Sequence, residues 1–374
     1  MLQPDLSVKS RRIIISGGGT GGHIFPAIAI ANALMALNPT NELLFVGANG
    51  KMEMEKVPAA GYSIIGLDIQ GIQRSLSLTN LMFPYKLVKS FLKAISIISK
   101  FKPDVAVGVG GYASGPLLYA ASLRGIPYLL QEQNSYPGIT NKSLAARAAK
   151  ICVAFTGMDV FFPKDKLLLT GNPIRKDIFN VDEKKAEASA FFNFTPERKT
   201  ILVLGGSGGA RTINEALEAY VLTFLNAGCQ VIWQTGKFYY QDILLKYPEG
   251  THKLLRVTEF LSRMEYAYAM SDLIISRAGA GTISELCIVK RPVVLIPSPH
   301  VAEDHQTKNA MSLVNKNAAI LIADNAAVDK LGTVVLRLIK DENECNQLSE
   351  NIGKLALNDS AELIALEVLK LAKN

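Results

Sequence analysis

Residues 12–27 read RIIISGGGTGGHIFPA, and this stretch decides the fold predicted for the first part of the chain. A short β-rich run comes first, then five glycines in the six positions from Gly17 to Gly22, then a histidine. The segment that follows repeats apolar residues at helical spacing and carries Pro26 near its first turn, where proline is tolerated. The stretch therefore predicts a strand, a glycine-rich turn and a helix.

Short, nearly all-apolar runs continue through the first half of the chain, separated by segments of helical character. They read ELLFVG, PDVAVGVG, PYLLQE, AKICVAF and KLLLTG. Runs of this kind are typical of a parallel sheet that is covered by helices on both faces. The first domain is therefore predicted to be a doubly wound α/β domain.

The opening pattern recurs at Thr200, where the strand TILVLGG precedes a glycine-rich turn and a second helix. The sequence thus predicts an α/β protein with two similar domains in tandem, residues 1–172 and 173–354, with function in the cleft between them. The closing segment, 355–374, reads as a helix. Its periodicity does not indicate the surface on which it packs.

The net charge and the cysteines limit the possible partners and cofactors. A formal charge of +7 suits an anionic partner, which is a nucleic acid, a phosphorylated ligand or a membrane surface. The four cysteines are far apart, so neither a zinc site nor a disulfide framework is indicated, and a reducing cytosol is the expected compartment. The sequence has neither a secretory signal nor an apolar run that is long enough to cross a bilayer. Membrane contact is therefore expected to be peripheral.

Gly17, Gly19 and Gly22 match the dinucleotide-binding fingerprint G-x-G-x-x-G, which alone is a weak signal. A dinucleotide site also needs an acidic residue near the tip of the next strand, but there LLFVGANGK offers no carboxylate before Glu53. This disfavours NAD or FAD. The loop still provides backbone N–H groups and a helix N-terminus, which suit an anion or a developing negative charge.

His23 follows the glycine loop at the predicted start of the helix. The positive end of the helix dipole disfavours the imidazolium, so the ring is expected to be a neutral base that is suited to deprotonating a hydroxyl. The alternative is a histidine that only ties the loop down through a side-chain hydrogen bond. The sequence does not decide between these two roles.

Two further strand-to-helix junctions lie in the second domain. In RAGAGTISE, residues 277–285, Thr282 and Glu285 fit a T-x-x-E capping box. The functional alternative is that Gly279–Thr282 offer N–H groups to phosphate while Glu285 accepts hydrogen bonds from a sugar. EDHQTKNA, residues 303–310, places polar side chains where ligands of such domains bind, but taken alone the segment is better explained as a polar loop start.

Residues 69–103 contain no Asp or Glu, yet they hold several lysines among apolar residues. Lys86, Lys89 and Lys93 fall on one helical face. They form either the solvated face of an ordinary amphipathic helix or a patch that lies on anionic lipid. In the second case the apolar residues Leu81, Met82 and Phe83 dip into the bilayer.

Seven motifs occur in an order that resembles the MurG family, the bacterial N-acetylglucosaminyltransferases of peptidoglycan synthesis. They are GGTGGH near the start, QEQN at 131–134, GNPIR at 171–175, GGSGGAR at 205–211, VTEF at 257–260, RAGAGTISE, and HQ-x-x-NA from 305. The resemblance covers nearly the whole chain. It implies the GT-B architecture, in which two Rossmann-like, doubly wound domains face each other across a cleft. In a protein of this architecture the C-terminal helix, 355–374, is able to pack back on the first domain.

The resemblance also implies an activity. It is the transfer of N-acetylglucosamine (GlcNAc) from UDP-GlcNAc to the 4-hydroxyl of the N-acetylmuramyl sugar in lipid I, a polyprenyl pyrophosphate, to give lipid II with inversion. This is the last cytoplasmic step of peptidoglycan precursor synthesis, on which cell shape and division depend. The expected partners are both substrates and an anionic membrane surface, with no nucleic acid, and the expected location is the cytoplasmic side of the inner membrane. No cofactor and no metal site are expected, but assistance by a divalent ion stays open.

By resemblance, the donor-binding residues come from both domains. They are Thr20, Gly21, Gly22, Asn134, Arg175, Ser207, Leu261, Ala280, Gly281, Thr282, Ile283, Ser284, Glu285, His305 and Gln306. Leu261 is expected to hold the uracil by backbone groups, Glu285 the ribose and Gln306 the sugar.

The chain departs from the family pattern in three places. Gln131 and Gly208 stand where the family usually has the first residue of HEQN and the glutamine of GGSQGA. A catalytic role for the first residue of HEQN therefore does not apply. His305 occupies a place that is often glutamine, which leaves its sugar contact open. His23 is the first candidate for the catalytic base, and Glu132 is the second.

Two other classes of protein fit a pair of α/β domains. A UDP-sugar 2-epimerase shares the UDP site but acts on the donor alone, so it needs no apolar, basic surface. A two-lobed binding protein closes around its ligand in the same way, but such proteins are typically exported. The lysine-rich apolar segment and the absence of a signal both favour the transferase.

Overall fold

The computed structural model describes residues 9–69 and 83–372. The chain forms two compact units. Unit 1 comprises Met1–Ile174 and Asn358–Asn374, and unit 2 comprises Arg175–Leu357. The sequence placed these two boundaries after residues 172 and 354.

Unit 1 is built on a sheet of seven parallel strands. Their bounds are β1 (Arg12–Ser16), β2 (Glu42–Ala48), β3 (Ser63–Leu67), β4 (Val105–Gly108), β5 (Tyr128–Glu132), β6 (Lys150–Val153) and β7 (Leu167–Leu169). The order across the sheet is β3-β2-β1-β4-β5-β6-β7. The order reverses beside β1, which is where ligands of doubly wound sheets bind.

The helices of unit 1 cover both faces of this sheet. They are α1 (Gly21–Leu37), α2 (Glu53–Ala59), α3 (Phe83–Phe101), α4 (Ser114–Leu123), α5 (Ile139–Leu144) and α14 (Ser360–Ala372), with 3-10 turns at Ala145–Arg147, Met158–Val160 and Lys164–Lys166. Ile13 and Ile15 of β1 pack in the core on the side of α1 and α14, and Ile14 packs on the side of α3 and α4. Burial on both faces is the reason that β1 is apolar at every one of these positions.

The C-terminal helix α14 belongs to unit 1. Its residues Ile364 and Val368 are fully buried in the same core cluster as Ile30 and Leu34 of α1. Periodicity predicted the helix but not its packing partner, because an apolar stripe does not identify the surface that covers it.

Unit 2 repeats the design with six parallel strands. They are β8 (Thr200–Leu204), β9 (Gln230–Gln234), β10 (Leu255–Thr258), β11 (Leu273–Ser276), β12 (Val293–Leu295) and β13 (Ile320–Leu321), in the order β10-β9-β8-β11-β12-β13. The helices are α6 (Lys185–Phe192), α7 (Arg211–Asn226), α8 (Tyr240–Lys246), α9 (Met264–Met270), α10 (Ala280–Val289), α11 (His305–Val314), α12 (Ala327–Leu338) and α13 (Glu342–Gly353). Short 3-10 turns lie at Lys176–Ile178, Val181–Lys184, Ala302–Asp304 and Asp324–Ala326. Two doubly wound parallel sheets therefore confirm the predicted fold class.

Helix α1 contains a proline. Helix α1 begins at Gly21, so Pro26 is its sixth residue and lies in the second turn, close to the first turn near which the sequence placed it. Its ring removes one backbone donor from the helix.

Among the described residues, no helix is both long enough and apolar enough to cross a membrane.

Candidate functional site

The residues that the resemblance assigns to the donor lie beyond the carboxyl ends of strands. Thr20–Gly22 follow β1, Asn134 follows β5, Arg175 follows β7, Ser207 follows β8, Leu261 follows β10, Ala280–Glu285 follow β11, and His305 and Gln306 follow β12. Because the strands of each sheet are parallel, the residues from one unit share one edge of that unit's sheet. This edge is where such sheets bind ligands.

The glycine loop of unit 1 is packed too tightly for side chains at its back. A Cβ on Gly111 would lie 2.4 Å from the Gly18 carbonyl oxygen, and one on Gly18 would lie 2.2 Å from Glu53 Oε1. Gly19 and Gly111 also have positive φ angles of 85° and 92°, which favour glycine. The glycines therefore serve close packing as well as backbone exposure.

His23 is the third residue of α1 and is bound to the loop that precedes it. Its Nδ1 lies 3.0 Å from the Gly18 carbonyl oxygen and 3.3 Å from Thr20 Oγ1. A carbonyl oxygen only accepts, so Nδ1 carries the proton in the Gly18 contact and the lone pair of the neutral ring is on Nε2. That edge of the ring faces Gly110, where a Cβ would lie 2.9 Å from Nε2. The ring therefore ties down the loop through Nδ1, which is one of the two roles that the sequence allowed, and the role of a catalytic base stays a prediction.

Glu53 is fully buried at the start of α2 and also holds this loop. Oε1 accepts from the Ala48 amide at 3.0 Å, and Oε2 accepts from the Gly19 amide at 2.9 Å. The first carboxylate after β2 therefore turns towards the protein's own loop, which explains why a ribose acid is missing from this strand tip. It also uses the Gly19 N–H, one of the donors that the sequence analysis assigned to an anion.

Glu132, the second candidate base, is only 2% exposed. Its Oε1 accepts from the Asn134 amide at 3.0 Å, and its Oε2 accepts from Asn141 Nδ2 at 2.8 Å and from the Gly138 amide at 3.2 Å. Burial raises the pKa of this carboxyl, and the bonds from Asn134, Asn141 and Gly138 oppose the rise. These contacts make Glu132 the group that shapes the loop after β5, and they favour His23 as the base.

Gln131 is fully buried and links the loop after β5 to the segment after β7. Its Nε2 donates to Asn172 Oδ1 at 3.0 Å, its Oε1 accepts from Gln133 Nε2, and Asn172 Nδ2 donates to the Gln133 carbonyl at 3.0 Å. Asn141 is equally buried, and its Oδ1 has no hydrogen-bond partner within the described part of the chain. The amides of QEQN and GNPIR thus form one network.

The glycine loop of unit 2 is held by backbone contact. A Cβ on Gly236 would lie 2.1 Å from the Gly209 nitrogen, and both glycines have positive φ angles, 80° and 93°. The neighbouring turn is fixed by the buried Asn214, whose Nδ2 donates to the Thr235 carbonyl at 2.9 Å. Ser207 is exposed at the tip of this loop. A side chain on Gly208 would meet the ring of Phe238 at 3.6 Å.

Glu285 lies on α10 and binds two residues that are distant in sequence. Oε1 accepts from Arg175 Nε at 3.0 Å, and Oε2 accepts from the hydroxyl of the fully buried Tyr268 at 3.0 Å. The capping-box alternative is wrong, because the helix begins at Ala280 with Gly279 as its N-cap and no side chain caps it. Thr282 is already inside the helix, so it is not placed to act as the cap.

The electrostatics of this site follow from burial. Burial raises the pKa of Glu285, and the nearby Arg175 and the Tyr268 hydroxyl oppose the rise. Burial and then the charge of Glu285 raise the pKa of Tyr268, so its hydroxyl stays protonated and donates. For Arg175 burial lowers the pKa, but the charges of Glu285 and Asp177 outweigh it and the net direction is upward. A carboxylate offers about four lone-pair directions, so Glu285 retains acceptor capacity beyond these two bonds.

Gln306 connects the loops after β11 and β12. Its Oε1 accepts from the Ser298 amide at 2.9 Å and from the Ala278 amide at 3.3 Å. Any contact with a sugar therefore falls to its NH₂ group, which donates. Arg277 is structural, because its Nη1 donates to the Ile296 carbonyl at 2.9 Å and pairs with Asp324. His305 is the first residue of α11.

The membrane patch predicted around α3 lies only partly within the described residues. Leu81 and Met82 lie outside the described residues, as does the side chain of Phe83. Lys89 pairs with Asp68 at 3.0 Å, and Lys93 donates to the Gly66 carbonyl at 2.7 Å. The apolar residues that α3 exposes on one helical face are Tyr85 (62%), Val88 (58%) and Leu92 (60%). Lys86 is half-buried on the same helix.

Sequence reasoning missed Glu53 and Tyr268 as parts of these sites. Glu53 was noted only as too distant for a ribose contact, and nothing in its local sequence indicates the loop it binds. Tyr268 lies in the apolar helix α9, where an aromatic residue reads as core. Across residues 9–69 and 83–372, no cluster of three or more His, Cys, Asp or Glu side chains is placed to hold a metal ion.

The chain matches two domain families. Residues 13–153 match the glycosyltransferase family 28 N-terminal domain, and residues 200–364 match the family 28 C-terminal domain. A protein of Bacteroides thetaiotaomicron is 56% identical over 98% of this chain and 99% of its own length. Its name is UDP-N-acetylglucosamine--N-acetylmuramyl-(pentapeptide) pyrophosphoryl-undecaprenol N-acetylglucosamine transferase. A protein of the same name from Flavobacterium psychrophilum is 50% identical over 98% of this chain and 99% of its own length.

Solved structures show the same fold. The crystal structure of MurG from Acinetobacter baumannii has a TM-score of 0.78 and 26% identity, and the match covers 96% of this chain and 99% of that one. A UDP-N-acetylglucosamine 2-epimerase has a TM-score of 0.64 but only 12% identity, with 97% of this chain and 96% of that one covered. The likeness to the epimerase is one of fold alone.

Glu132→Gln is expected to change how the free energy of unfolding depends on pH. The folded-state pKa of Glu132 lies above the unfolded value, so its contribution to stability is full at low pH and is lost as pH rises through the raised pKa. Between the pKa of Glu132 in the unfolded chain and its pKa in the fold, the free energy of unfolding of the wild type should fall by about 1.4 kcal/mol per pH unit relative to that of the variant. Urea unfolding of both proteins from about pH 4 upward measures this difference. Parallel curves would show that Glu132 ionises in the fold as readily as in the unfolded chain.

Proposed function

The chain belongs to glycosyltransferase family 28, and from this premise we infer that it transfers N-acetylglucosamine from UDP-GlcNAc to lipid I and forms lipid II. The observation that carries the inference is identity of 50–56% to named transferases over nearly the full length of both chains. It supports the resemblance to the MurG family that the motif order indicated. The chain is therefore a hexosyltransferase.

The reaction needs a base for the acceptor hydroxyl and stabilisation of charge on the departing UDP. His23 is suited to the first task, because Nδ1–H is bound to the Gly18 carbonyl and Nε2 holds the lone pair. Direct attack of the deprotonated hydroxyl on the anomeric carbon breaks the bond to UDP and inverts that carbon. The proton passes to Nε2, and no covalent enzyme intermediate forms.

Unit 2 is suited to bind the donor nucleotide. The N-terminus of α10 follows Gly279 without a side-chain cap, so its backbone N–H groups and helix dipole favour pyrophosphate oxygens. Glu285 is suited to accept from the ribose hydroxyls, and Arg175 lies beside it with a half-exposed guanidinium. Backbone groups at Leu261 hold the uracil, and the Gln306 NH₂ donates to the sugar. The α10 N-terminus and the Arg175 guanidinium stabilise the negative charge that develops on the departing UDP.

The acceptor brings the enzyme to a membrane surface. A polyprenyl chain leaves the bilayer at a cost of roughly 0.8 kcal/mol per CH₂, so the enzyme meets lipid I at the membrane. The exposed residues Tyr85, Val88 and Leu92 provide the apolar contact, and the lysines of α3 add attraction to anionic lipid. Because Lys89 is paired with Asp68, its contribution is smaller than the sequence suggested.

An acceptor-dependence assay tests the activity against the epimerase that shares the fold. The protein is incubated with UDP-GlcNAc alone and then with a lipid I analogue. Release of UDP only in the presence of the acceptor supports the transferase. Conversion of the sugar to its 2-epimer without an acceptor would contradict it, and so would binding of UDP-GlcNAc without turnover.

His23→Ala is expected to lower kcat by about 10²–10⁴-fold, with a smaller change in donor affinity, because the acceptor hydroxyl loses its base. Steady-state kinetics with a soluble acceptor measure both. His252→Ala is the matched control, since the His252 ring packs near Tyr247, outside the proposed sites. Near-normal kcat in a folded His23→Ala protein would remove His23 from the role of base.

Glu285→Gln is expected to weaken UDP-GlcNAc binding by about 1.5–3 kcal/mol, because the ribose loses a charged acceptor. The glutamine carbonyl is able to accept from the Tyr268 hydroxyl or from Arg175 Nε but not from both, so some loss of thermal stability is expected as well and is measured beside the affinity. Titration calorimetry measures the affinity. The control Tyr268→Phe keeps the carboxylate and Arg175, and it should leave donor affinity nearly unchanged. Equal affinity of wild type and Glu285→Gln would refute the ribose contact.

Replacing Tyr85, Val88 and Leu92 together with serine is expected to reduce sedimentation with anionic vesicles by about tenfold or more, because the inserted apolar groups are lost. Turnover of a polyprenyl-linked acceptor should fall, while turnover of a short-chain soluble acceptor should not. Leu222→Ser, at a comparably exposed apolar residue of α7, is the control. Unchanged vesicle binding would contradict the membrane contact and would show that this face of α3 is an ordinary solvated surface.

A further inference from the structure

The peptide unit between Gly18 and Gly19 is hydrogen-bonded on both of its sides. Its N–H, from Gly19, donates to Glu53 Oε2 at 2.9 Å. Its carbonyl, from Gly18, accepts from His23 Nδ1 at 3.0 Å. The N–H and C=O of a trans peptide point in opposite directions, so one planar amide connects the carboxylate with the imidazole.

Glu53 is placed to hold this peptide and little else. Its carboxylate is fully buried, and its second oxygen is fixed by the Ala48 amide at the end of β2. A Cβ on Gly18 or Gly47 would overlap the Glu53 side chain, at 2.2 Å and 2.5 Å respectively. The side chain therefore fits a space that only glycines leave open. A carboxylate that is removed from water needs hydrogen-bond donors, and two backbone amides supply them.

We propose that Glu53 is a positioning residue for His23 and acts on it through the Gly18–Gly19 peptide. The proposal rests on the proposed function, in which His23 is the base. The carboxylate holds the amide so that its carbonyl faces Nδ1. That carbonyl then fixes the proton on Nδ1, leaves the lone pair on Nε2 and sets the orientation of the ring.

The charge of Glu53 also reaches the ring through the amide. Hydrogen bonds in series polarise one another, so a carboxylate on the N–H side makes the carbonyl oxygen a stronger acceptor. A stronger acceptor at Nδ1–H stabilises the imidazolium that forms when Nε2 takes a proton. An aspartate that contacts histidine directly serves this purpose in the serine hydrolases. In this chain a peptide group lies between the two side chains.

Thr20 is able to stabilise the other tautomer of His23, and the test must distinguish the two tautomers. Its Oγ1 lies 3.3 Å from Nδ1, so its hydroxyl is able to donate to an unprotonated Nδ1. In that state the proton is on Nε2 and the ring does not present a base. The Glu53-supported carbonyl selects against this state, because two lone pairs would then face each other at 3.0 Å.

The first experiment reads the tautomer directly in the intact wild-type protein. The chain has four histidines, so ¹⁵N-histidine labelling gives few ring signals, and His23→Gln assigns the signal of His23. Spectra are recorded at a pH at which the imidazole is neutral. A predominant Nδ1–H form is the expected result, and a predominant Nε2–H form would overturn the proposal.

The second experiment removes the charge of Glu53 while keeping the size of the side chain. Glu53→Gln should shift the His23 population towards the Nε2–H form and lower kcat by about 10–100-fold, the usual range for partners of this kind. The KM for UDP-GlcNAc should change much less than kcat, because the groups proposed to hold the nucleotide lie in unit 2 and only Thr20–Gly22 of the donor residues adjoin the loop that Glu53 supports. Asp104→Asn is the matched control, since Asp104 Oδ2 also accepts from a backbone amide of β1, that of Arg12, at 2.8 Å.

The outcomes separate this proposal from the proposed function. An unchanged tautomer in a folded Glu53→Gln protein would overturn the role of Glu53 whatever the activity. A shifted tautomer together with full activity of His23→Ala would uphold the effect of Glu53 on the ring and refute His23 as the base. If Glu53→Gln does not fold, the tautomer of the wild-type protein remains the deciding measurement.

Discussion

The hydrogen bond from the Gly19 amide to the buried Glu53 carboxylate fixes the glycine loop on which the chemistry proposed for unit 1 depends. It joins the end of β2 to the loop after β1 and sets the peptide to which His23 is bound. The requirement for glycine follows from it, because the side chain of Glu53 fills the space beside Gly18 and Gly47. The loop after β8 is closed differently, by backbone contact between Gly209 and Gly236. The glycine loops after β1 and β8 have similar sequences but are held by different contacts, and of the two only the loop after β1 is followed by a histidine.

The features that were predictable from sequence depend on local pattern. All-apolar strands indicate two covered faces, and a glycine-rich turn after such a strand indicates the start of a helix. The two parallel sheets and the position of His23 at the start of α1 follow from these patterns. The motif order added the family and hence the activity, which composition and spacing alone left open.

The features that were not predictable depend on contacts between distant segments. Thr282 and Glu285 fit a capping box by spacing, but Gly279 starts the helix, and Glu285 binds Arg175 and Tyr268 instead. The role of Glu53 depends on which backbone amides surround it after folding. The apolar face of α3 is defined by the residues that packing leaves exposed, and a lysine pattern does not show that Asp68 pairs with one of the lysines. Spacing identifies candidates, whereas tertiary packing assigns their partners.

The fold permits more than one reaction on a UDP-sugar, since an epimerase with 12% identity has the same architecture. The chemistry inferred for this chain is direct displacement by an acceptor hydroxyl, with His23 taking the proton and no covalent intermediate. The configuration of the new glycosidic bond tests this most directly, and NMR of the isolated product measures it. Transfer from the α-linked donor should give a β-linked product. An α-linked product would contradict direct, inverting displacement by the acceptor hydroxyl.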